Sequence, residues 1–473
     1  MREARKKVVL YNPQAVFFDM PLALVAIGSI LDATRYEVVI IDARIEEDPE
    51  AKVAEAIQGA LCFGVTTLTG APLRDAIQMT RFVKAQQPDL TTIWGGWHTS
   101  LFAIKTLEDA PEVDITVQAQ GETTFRELVD RLDKGEALDD LQGITYRKDG
   151  VPTRNMARPM TDMNEIPRYN YELIDVERYF EAKGRRQLDY FSSSGCYFRC
   201  AFCADPFVFN RKWSAVSPER MGEELEYWQK KYGFTDVNFQ DETFFTHRKR
   251  VVSIAQEFID RKLNITWAGT MRADQGHRLS EDDFKLLKKS GLRRVLIGVE
   301  SGSQEMMDWM KKDIKIEQVY ECAERCKRHD IAVIFPFIVG FPGETDKSFM
   351  ASLRMAHELK SMKSDFTTPI FYFKPYPGSA ITQEVVNKGY ELPKTIQEWA
   401  EFDYIGSSGP WVSDERYQLV ERFKFYNQLA YRKNGAMMMP LQALARWRMR
   451  NWKFGMPWEK TLIEWVRPKA KLS

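Results

Sequence analysis

Between residues 188 and about 385 the sequence alternates short apolar runs with amphipathic stretches six times, and this constrains the fold more than any other feature. Residues 188–193, 236–240, 265–271, 294–299, 332–339 and 368–374 read as strands, with helices between them. Six consecutive strand–helix units predict a barrel, complete or partial. Loops at the carboxyl ends of its strands then converge on one site. A second alternation precedes it: strands at 8–11, 37–41, 61–66, 92–94 and 114–117, helices at 22–31, 51–60, 73–86 and 125–132. That pattern predicts an open, doubly wound parallel sheet whose ligands also meet the strand ends. The expected fold class is α/β: a Rossmann-like domain over 1–145, a linker with a small hairpin over 146–187, a (β/α)6 partial barrel over 188–385, and a mainly helical extension over 386–473.

Three cysteines follow the first barrel strand, in Ser194-Gly195-Cys196-Tyr197-Phe198-Arg199-Cys200-Ala201-Phe202-Cys203. A C-x3-C-x2-C loop can wrap one corner of a cubane iron–sulfur cluster and give a thiolate to three of its four irons. The fourth iron is left open, and an open metal position is where a substrate can bind and react. A structural zinc site asks for four ligands, and the next downstream histidine is His247. A disulfide pair would leave one cysteine over. Cys62 sits in an apolar strand, and Cys322 and Cys326 share one face of a helix; buried packing accounts for all three.

This loop resembles that of the radical S-adenosylmethionine (SAM) enzymes. The resemblance extends over about residues 8–380, with the anaerobic magnesium-protoporphyrin ester cyclase and hopanoid-modifying types among its nearest relatives. It implies that SAM chelates the open iron of a [4Fe–4S] cluster held by Cys196, Cys200 and Cys203. One electron then releases the 5′-deoxyadenosyl radical. The remaining strand ends carry matching signals. Asp241 and Glu242 in Gln240-Asp241-Glu242-Thr243 match the place that cradles the SAM amino group, although acids there also suit a helix N-terminus. Arg272 has the fork that grips a carboxylate. Glu300 matches the contact to ribose and methionine, with a structural salt bridge as the alternative. The Gly340 turn and Phe202 match positions that face adenine.

The first domain similarly resembles the cobalamin-binding domain that precedes the barrel in one large subgroup. The residues carrying this are Asn12 after the first strand, Thr69 and Gly70 after the third, Gly95, Gly96 and His98 after the fourth, and Gly121 with Glu122 opening the last helix. Glycines and small hydroxyls at strand ends let backbone approach a large flat cofactor. The Asp-x-His-x-x-Gly motif that supplies a histidine to cobalt is absent. The resemblance therefore implies cobalamin held without a lower histidine, and a retained scaffold domain is the alternative.

Lys+Arg and Asp+Glu balance at 67 each, so no global field points to nucleic acid. Six cysteines in 473 residues make no disulfide framework. No signal peptide is read at the N-terminus, and the longest apolar stretches fall short of the ~20 residues that span a bilayer. A cytoplasmic location is expected. From Arg432 onward bases outnumber acids and alternate with Trp447, Trp452, Trp458 and Trp465. Such a tail suits peripheral contact with the inner face of a membrane, a lid on the barrel, or RNA.

The expected activity is cobalamin-dependent radical SAM chemistry at an unactivated carbon of an apolar or lipid-like small molecule, with C-methylation first. Oxidative cyclisation or oxygenation of a tetrapyrrole or lipid is the second outcome. An external one-electron donor of flavodoxin or ferredoxin type is implied. A methylthiotransferase-like RNA modifier would ask for further cluster cysteines in the first domain, where only Cys62 stands. A non-catalytic iron–sulfur protein would leave Asp241, Glu242 and Arg272 without a role.

Overall fold

A computed structural model describes residues 4–16, 18–402, 409–431, 438–455 and 457–459. They fall into two compact units. The first takes described residues from 1–244, 253–267 and 375–404, and the second from 245–252, 268–374 and 405–473.

The first unit is built on a seven-stranded sheet of β1 (Lys6–Asn12), β2 (Tyr36–Asp42), β3 (Ala60–Thr67), β4 (Thr91–Gly96), β5 (Ile115–Val117), β6 (Ile144–Lys148) and β7 (Val151–Arg154), in the order β2-β1-β3-β4-β5-β6-β7. The first five strands are parallel, with Leu10 opposite both Ile40 and Gly64. The expected hairpin is β6–β7, and it extends the sheet antiparallel to β5. Val8, Val9 and Leu10 are wholly buried because both faces are covered, as a parallel strand requires. One face packs Leu24 of helix Leu22–Ser29 and Phe125, Leu128 and Val129 of helix Glu122–Lys134. The other packs Val53, Leu73, Ala76 and Val83. Ile396 and Trp399 join that second face from helix Ile396–Ala400, so chain from beyond the barrel returns to cover the first domain.

The same unit contains β8 (Gln187–Tyr190), β9 (Ser193–Gly195), β10 (Trp213–Ala215) and β11 (Asp236–Phe239). β8 and β11 pair in parallel, and β9 pairs antiparallel with β10. The strand expected over 188–193 is thus two pieces, the second diverted to frame the cysteine loop.

β12 (Thr266–Met271) begins in the first unit and runs into the second, which holds β13 (Leu292–Ile297), β14 (Ala332–Ile334), β15 (Phe337–Val339), β16 (Phe366–Thr367) and β17 (Ile370–Tyr372). The fifth and sixth barrel strands are each broken in two. Pro336 and Pro369 lie at the breaks, and proline cannot donate to a ladder. Their carbonyls are still used: Pro336 O accepts from Val299 and Glu300 N–H, and Pro369 O accepts from Phe337 N–H. β14 then pairs with β13 and β16, whereas β15 pairs with β17.

The architecture is α/β, with a Rossmann-like parallel sheet, six strand–helix units and a helical C-terminal region. Cys62, Cys322 and Cys326 are buried, as expected. No helix among the described residues is long and apolar enough to cross a membrane. Helix Met439–Asn451 packs on helix Asp414–Tyr431. Arg446, Arg450 and Lys453 face solvent, but Arg448 turns inward to buried Glu459 at 2.7 Å. Arg432, Lys460, Trp465, Arg467, Lys469 and Lys471 lie outside the described residues.

Candidate functional site

In the first unit the cysteine loop is held from both ends. Gly195, just before Cys196, has φ +82° and lies against the backbone of Lys212; a Cβ there would stand 2.4 Å from Lys212 O. Only glycine fits both demands. Further along, Ala201 O accepts from Ile381 N–H at 2.9 Å and Cys200 O accepts from Cys203 N–H at 3.2 Å. Cys196, Cys200 and Cys203 are half-buried and unbridged. Cys196 feels the charges of Asp205, Cys200 and Glu242, and Cys203 those of Asp205, Cys200 and Cys196.

Burial pushes the Cys196 thiol up to about 12 and the Cys203 thiol well above its usual range. Thiols in such a place stay protonated until a metal binds them; ligation then deprotonates them outright. Among the described residues no three Cys, His, Asp or Glu side chains converge on a single ion. A cubane differs from a lone ion in that each thiolate meets a different iron, so the three sulfurs must stand apart. Three free cysteines on one glycine-hinged loop fit that requirement.

The two acids after β11 point differently. Asp241 is buried and accepts from Ser192 N–H at 3.1 Å, Ser192 Oγ at 2.7 Å, and Ser193 Oγ. It thereby fixes the chain entering the cysteine loop. Glu242 accepts from Gly195 N–H, lines the cavity described below, and has its Oε2 buried without a hydrogen-bond partner. Burial, followed by the nearby Asp205 charge, raises its carboxyl well above the usual range. A buried carboxylate oxygen with nothing to bind suits a cationic partner such as an amino group. Asp205, unremarked in the sequence, is raised to about 6 by burial and accepts from the Cys203 thiol.

A cavity of about 220 Å³ opens in this unit. One wall is made by strand and helix ends of the seven-stranded sheet, including Gly95, Gly96, Gly121 and Glu122. The opposing wall includes Ser193, Ser194, Val208, Phe209 and Glu242, which flank the cysteine loop. Gly96 has φ +102°, and a Cβ there would meet Thr67 O at 2.6 Å. Most of the lining is apolar, with Ile27, Val65, Ile93 and Phe125 reaching toward the core of the first domain. A cradle of glycine backbone and apolar side chains suits the face of a large flat macrocycle. Tyr169 is a lining residue that no sequence signal marks; it comes from the hairpin–barrel connection.

Asn12, Thr69, Gly70 and His98 are not among the lining residues. Asn12 Nδ2 donates to Asp42 Oδ1 at 3.0 Å. Thr69 Oγ1 and His98 Nδ1 are 3.1 Å apart, and Gly70 N–H donates to Trp399 O. His98 is 1 % exposed, packs on Phe102 and Trp399, and is lowered by burial to about 3, hence neutral. For Thr69, Gly70 and His98 the reason is the returning helix Ile396–Ala400, whose Trp399 covers Gly70 and His98; Asn12 is instead held by Asp42.

In the second unit Arg272 Nε donates to Asp274 Oδ1 at 2.9 Å and its NH2 group to Lys312 O. Glu300, at φ +66°, is buried and pairs with Lys312 Nζ at 2.8 Å. Gly298 makes room for that pair, since a Cβ there would fall 2.4 Å from the Glu300 carboxylate. The salt-bridge alternative for Glu300 is therefore realised. Gly340, at φ +81°, donates its N–H to Glu344 Oε2 at 2.7 Å; burial raises Glu344 to about 7. Phe202 is half-buried between Ala201 and Cys203 in the cysteine loop of the first unit.

Comparison with known proteins agrees with both halves. Residues 190–356 match the radical SAM superfamily, and residues 14–129 match the B12 binding domain. An uncharacterised methyltransferase of Pyrococcus horikoshii is 27 % identical over 405 residues, 85 % of this chain and 86 % of that one. The anaerobic magnesium-protoporphyrin IX monomethyl ester cyclase of Rubrivivax gelatinosus is 27 % identical over 380 residues, 78 % of this chain and 67 % of that one. The radical SAM methyltransferase TsrM of Kitasatospora setae, solved with cobalamin and a [4Fe–4S] cluster, superposes with a TM-score of 0.72. That match is 15 % identical over 90 % of this chain and 89 % of that chain, and it establishes the fold. The cofactors are a [4Fe–4S] cluster, SAM and cobalamin.

Proposed function

We propose that this chain, a cobalamin-binding radical SAM enzyme, methylates an unactivated carbon of a small molecule with a large apolar surface. When bound, the cluster supplies an electron to SAM, SAM supplies a hydrogen-abstracting radical, and cobalamin supplies a methyl carrier. The observation that carries the reading is one cavity in the first unit. Its walls are the glycine-rich ends of the B12-binding sheet and the residues flanking the cysteine loop. Two cofactor sites opening on one enclosed space are what a transfer between them asks for.

The chain's own residues have separable tasks. Cys196, Cys200 and Cys203 hold the cluster, and Gly195 sets the loop's path. Glu242 offers an unpartnered oxygen to the SAM amino group, and Asp241 orients Ser192 and Ser193 behind it. Arg272 and Glu300 shape their strand ends through Asp274 and Lys312, and Glu344 fixes the Gly340 turn that the resemblance assigns to adenine. Gly95, Gly96, Gly121 and Glu122 border the macrocycle. Ile27, Val65, Ile93 and Phe125 exclude water from its deep side. The electron comes from an external one-electron donor of flavodoxin or ferredoxin type. Exposed Arg446, Arg450, Lys453, Trp447 and Trp458 are the described residues that could meet an anionic membrane face.

Oxidative cyclisation is the second reading, favoured by the similarity to the Rubrivivax cyclase. Incubation of reduced, cobalamin-loaded enzyme with methyl-deuterated SAM and an apolar cell extract separates the two. Deuterated methyl in a new product supports transfer; an oxidised, unlabelled product overturns it.

A further inference from the structure

We infer that the substrate carries an oxyanion group, phosphate or phosphonate in character, which seats in a polar annex beside the main cavity. The inference rests on the reading of that cavity as the reaction chamber. The annex lies wholly in the first unit, has a volume of about 160 Å³, and shares Ser100, Ala119, Gln120, Val208 and Phe209 with the larger cavity.

Its composition is one-sided. Arg154, Arg158 and Lys212 line it, and no aspartate or glutamate does. Arg158 is accounted for: it donates to Thr124 Oγ1 at 2.8 Å and is paired with Glu127. Gln118 and Gln120 are occupied as well, since Gln118 Nε2 donates to Thr116 and Gln120 bonds the Thr161 backbone, while Asn210 adds a further amide to the lining. Arg154 and Lys212 are exposed and carry no ion pair, so two cationic heads remain for a ligand.

Position gives the annex its meaning. Lys212 O packs against Gly195, and neighbouring Trp213 pairs with Gly195 across the β9–β10 ladder, one residue before the first cluster cysteine. Arg154 ends β7 on the sheet that forms the opposite wall. A guanidinium fork and an ammonium that line one cavity are suited to a tetrahedral oxyanion, which Arg grips in two places and Lys as a point charge. The substrate's apolar part would occupy the main cavity with its anionic head held here. That makes it an anionic amphiphile, distinct from a neutral lipid.

The test uses inorganic pyrophosphate as the probe, titrated calorimetrically into the full-length protein without SAM or reductant. Cobalamin-loaded and cobalamin-free forms are compared. The expected result is binding to both forms, weakened roughly tenfold or more in the Arg154→Gln/Lys212→Gln double variant. Arg154→Lys/Lys212→Arg, which keeps both charges, should bind within a few-fold of the parent. Cobalamin affinity should not change. Both side chains are exposed, so the variants should unfold at the parent's temperature. Equal pyrophosphate binding by parent and double-Gln variant, or none by the parent, overturns the inference. Competition between pyrophosphate and cobalamin, with weaker cobalamin binding in the double-Gln variant, also overturns it, because the anion would then be the cofactor's own phosphate. Since no turnover is read, failure here leaves the methyl-transfer reading standing, and failure of methyl transfer leaves this binding result intact.

Discussion

Glu242 and Asp241 are adjacent acids with opposite fates, and the difference lies in what reaches each carboxylate. Asp241 is saturated by two serines, whereas Glu242 keeps a buried oxygen with no partner. A charge-assisted hydrogen bond contributes about 1.5–3 kcal/mol. Glu242→Gln should therefore raise the KM for SAM roughly 10- to 100-fold, with cluster iron content unchanged. A variant that loses iron in parallel with SAM affinity would assign Glu242 to the loop rather than to the ligand. The adjacency was legible in the sequence, but the division of labour was not, because it depends on Ser192 and Ser193 some fifty positions upstream. His98 shows the same limit. A histidine beside two glycines reads as a pocket residue, yet Phe102 and Trp399 enclose it, and Trp399 is about 300 positions away. The cysteines were legible because a cluster loop is local and its spacing is its geometry.

At the scale of elements, strand ends carry the function and glycines set how closely they approach. Gly96→Ala would drive a Cβ into Thr67 O at an unfavourable φ. The expected cost is roughly 1–3 kcal/mol of stability, together with lower cobalamin occupancy in the corrin absorbance; parent-like occupancy would remove β4 from the cofactor wall. The β15 turn has its own signature in pH. Burial lifts the Glu344 carboxyl from 4.5 to about 7 while its Oε2 holds Gly340 N–H. The folded state thus keeps a proton that the unfolded chain has lost, so stability falls as pH rises from about 4.5 to about 7 and levels off above. A shift of this size corresponds to about 3 kcal/mol. Glu344→Gln should flatten that decline in thermal unfolding, whereas parallel profiles would show that other groups set it. Most strands and helices were legible from apolar period alone. The breaks at Pro336 and Pro369 were not read, because each lies inside an otherwise convincing apolar run and is bridged by its own carbonyl.

At the scale of the whole molecule, chain order and compact units do not coincide. Residues 375–404 belong with the first unit, where Ile396 and Trp399 complete its core and Ile381 braces the cysteine loop. The consequence is that removing residues after 374 should cost cluster retention even though all three cysteines remain. Strand–helix alternation is a local signal, whereas the long-range return of a helix leaves no periodic trace. The central claim is that three thiolates on this loop leave one iron open, where SAM is bound and split. Its most direct measurement is 5′-deoxyadenosine formed by anaerobically reconstituted, cobalamin-loaded enzyme with SAM and a strong reductant. The parent should form it and Cys200→Ala should form none. A parent protein with its full iron complement that yields no 5′-deoxyadenosine would contradict the account.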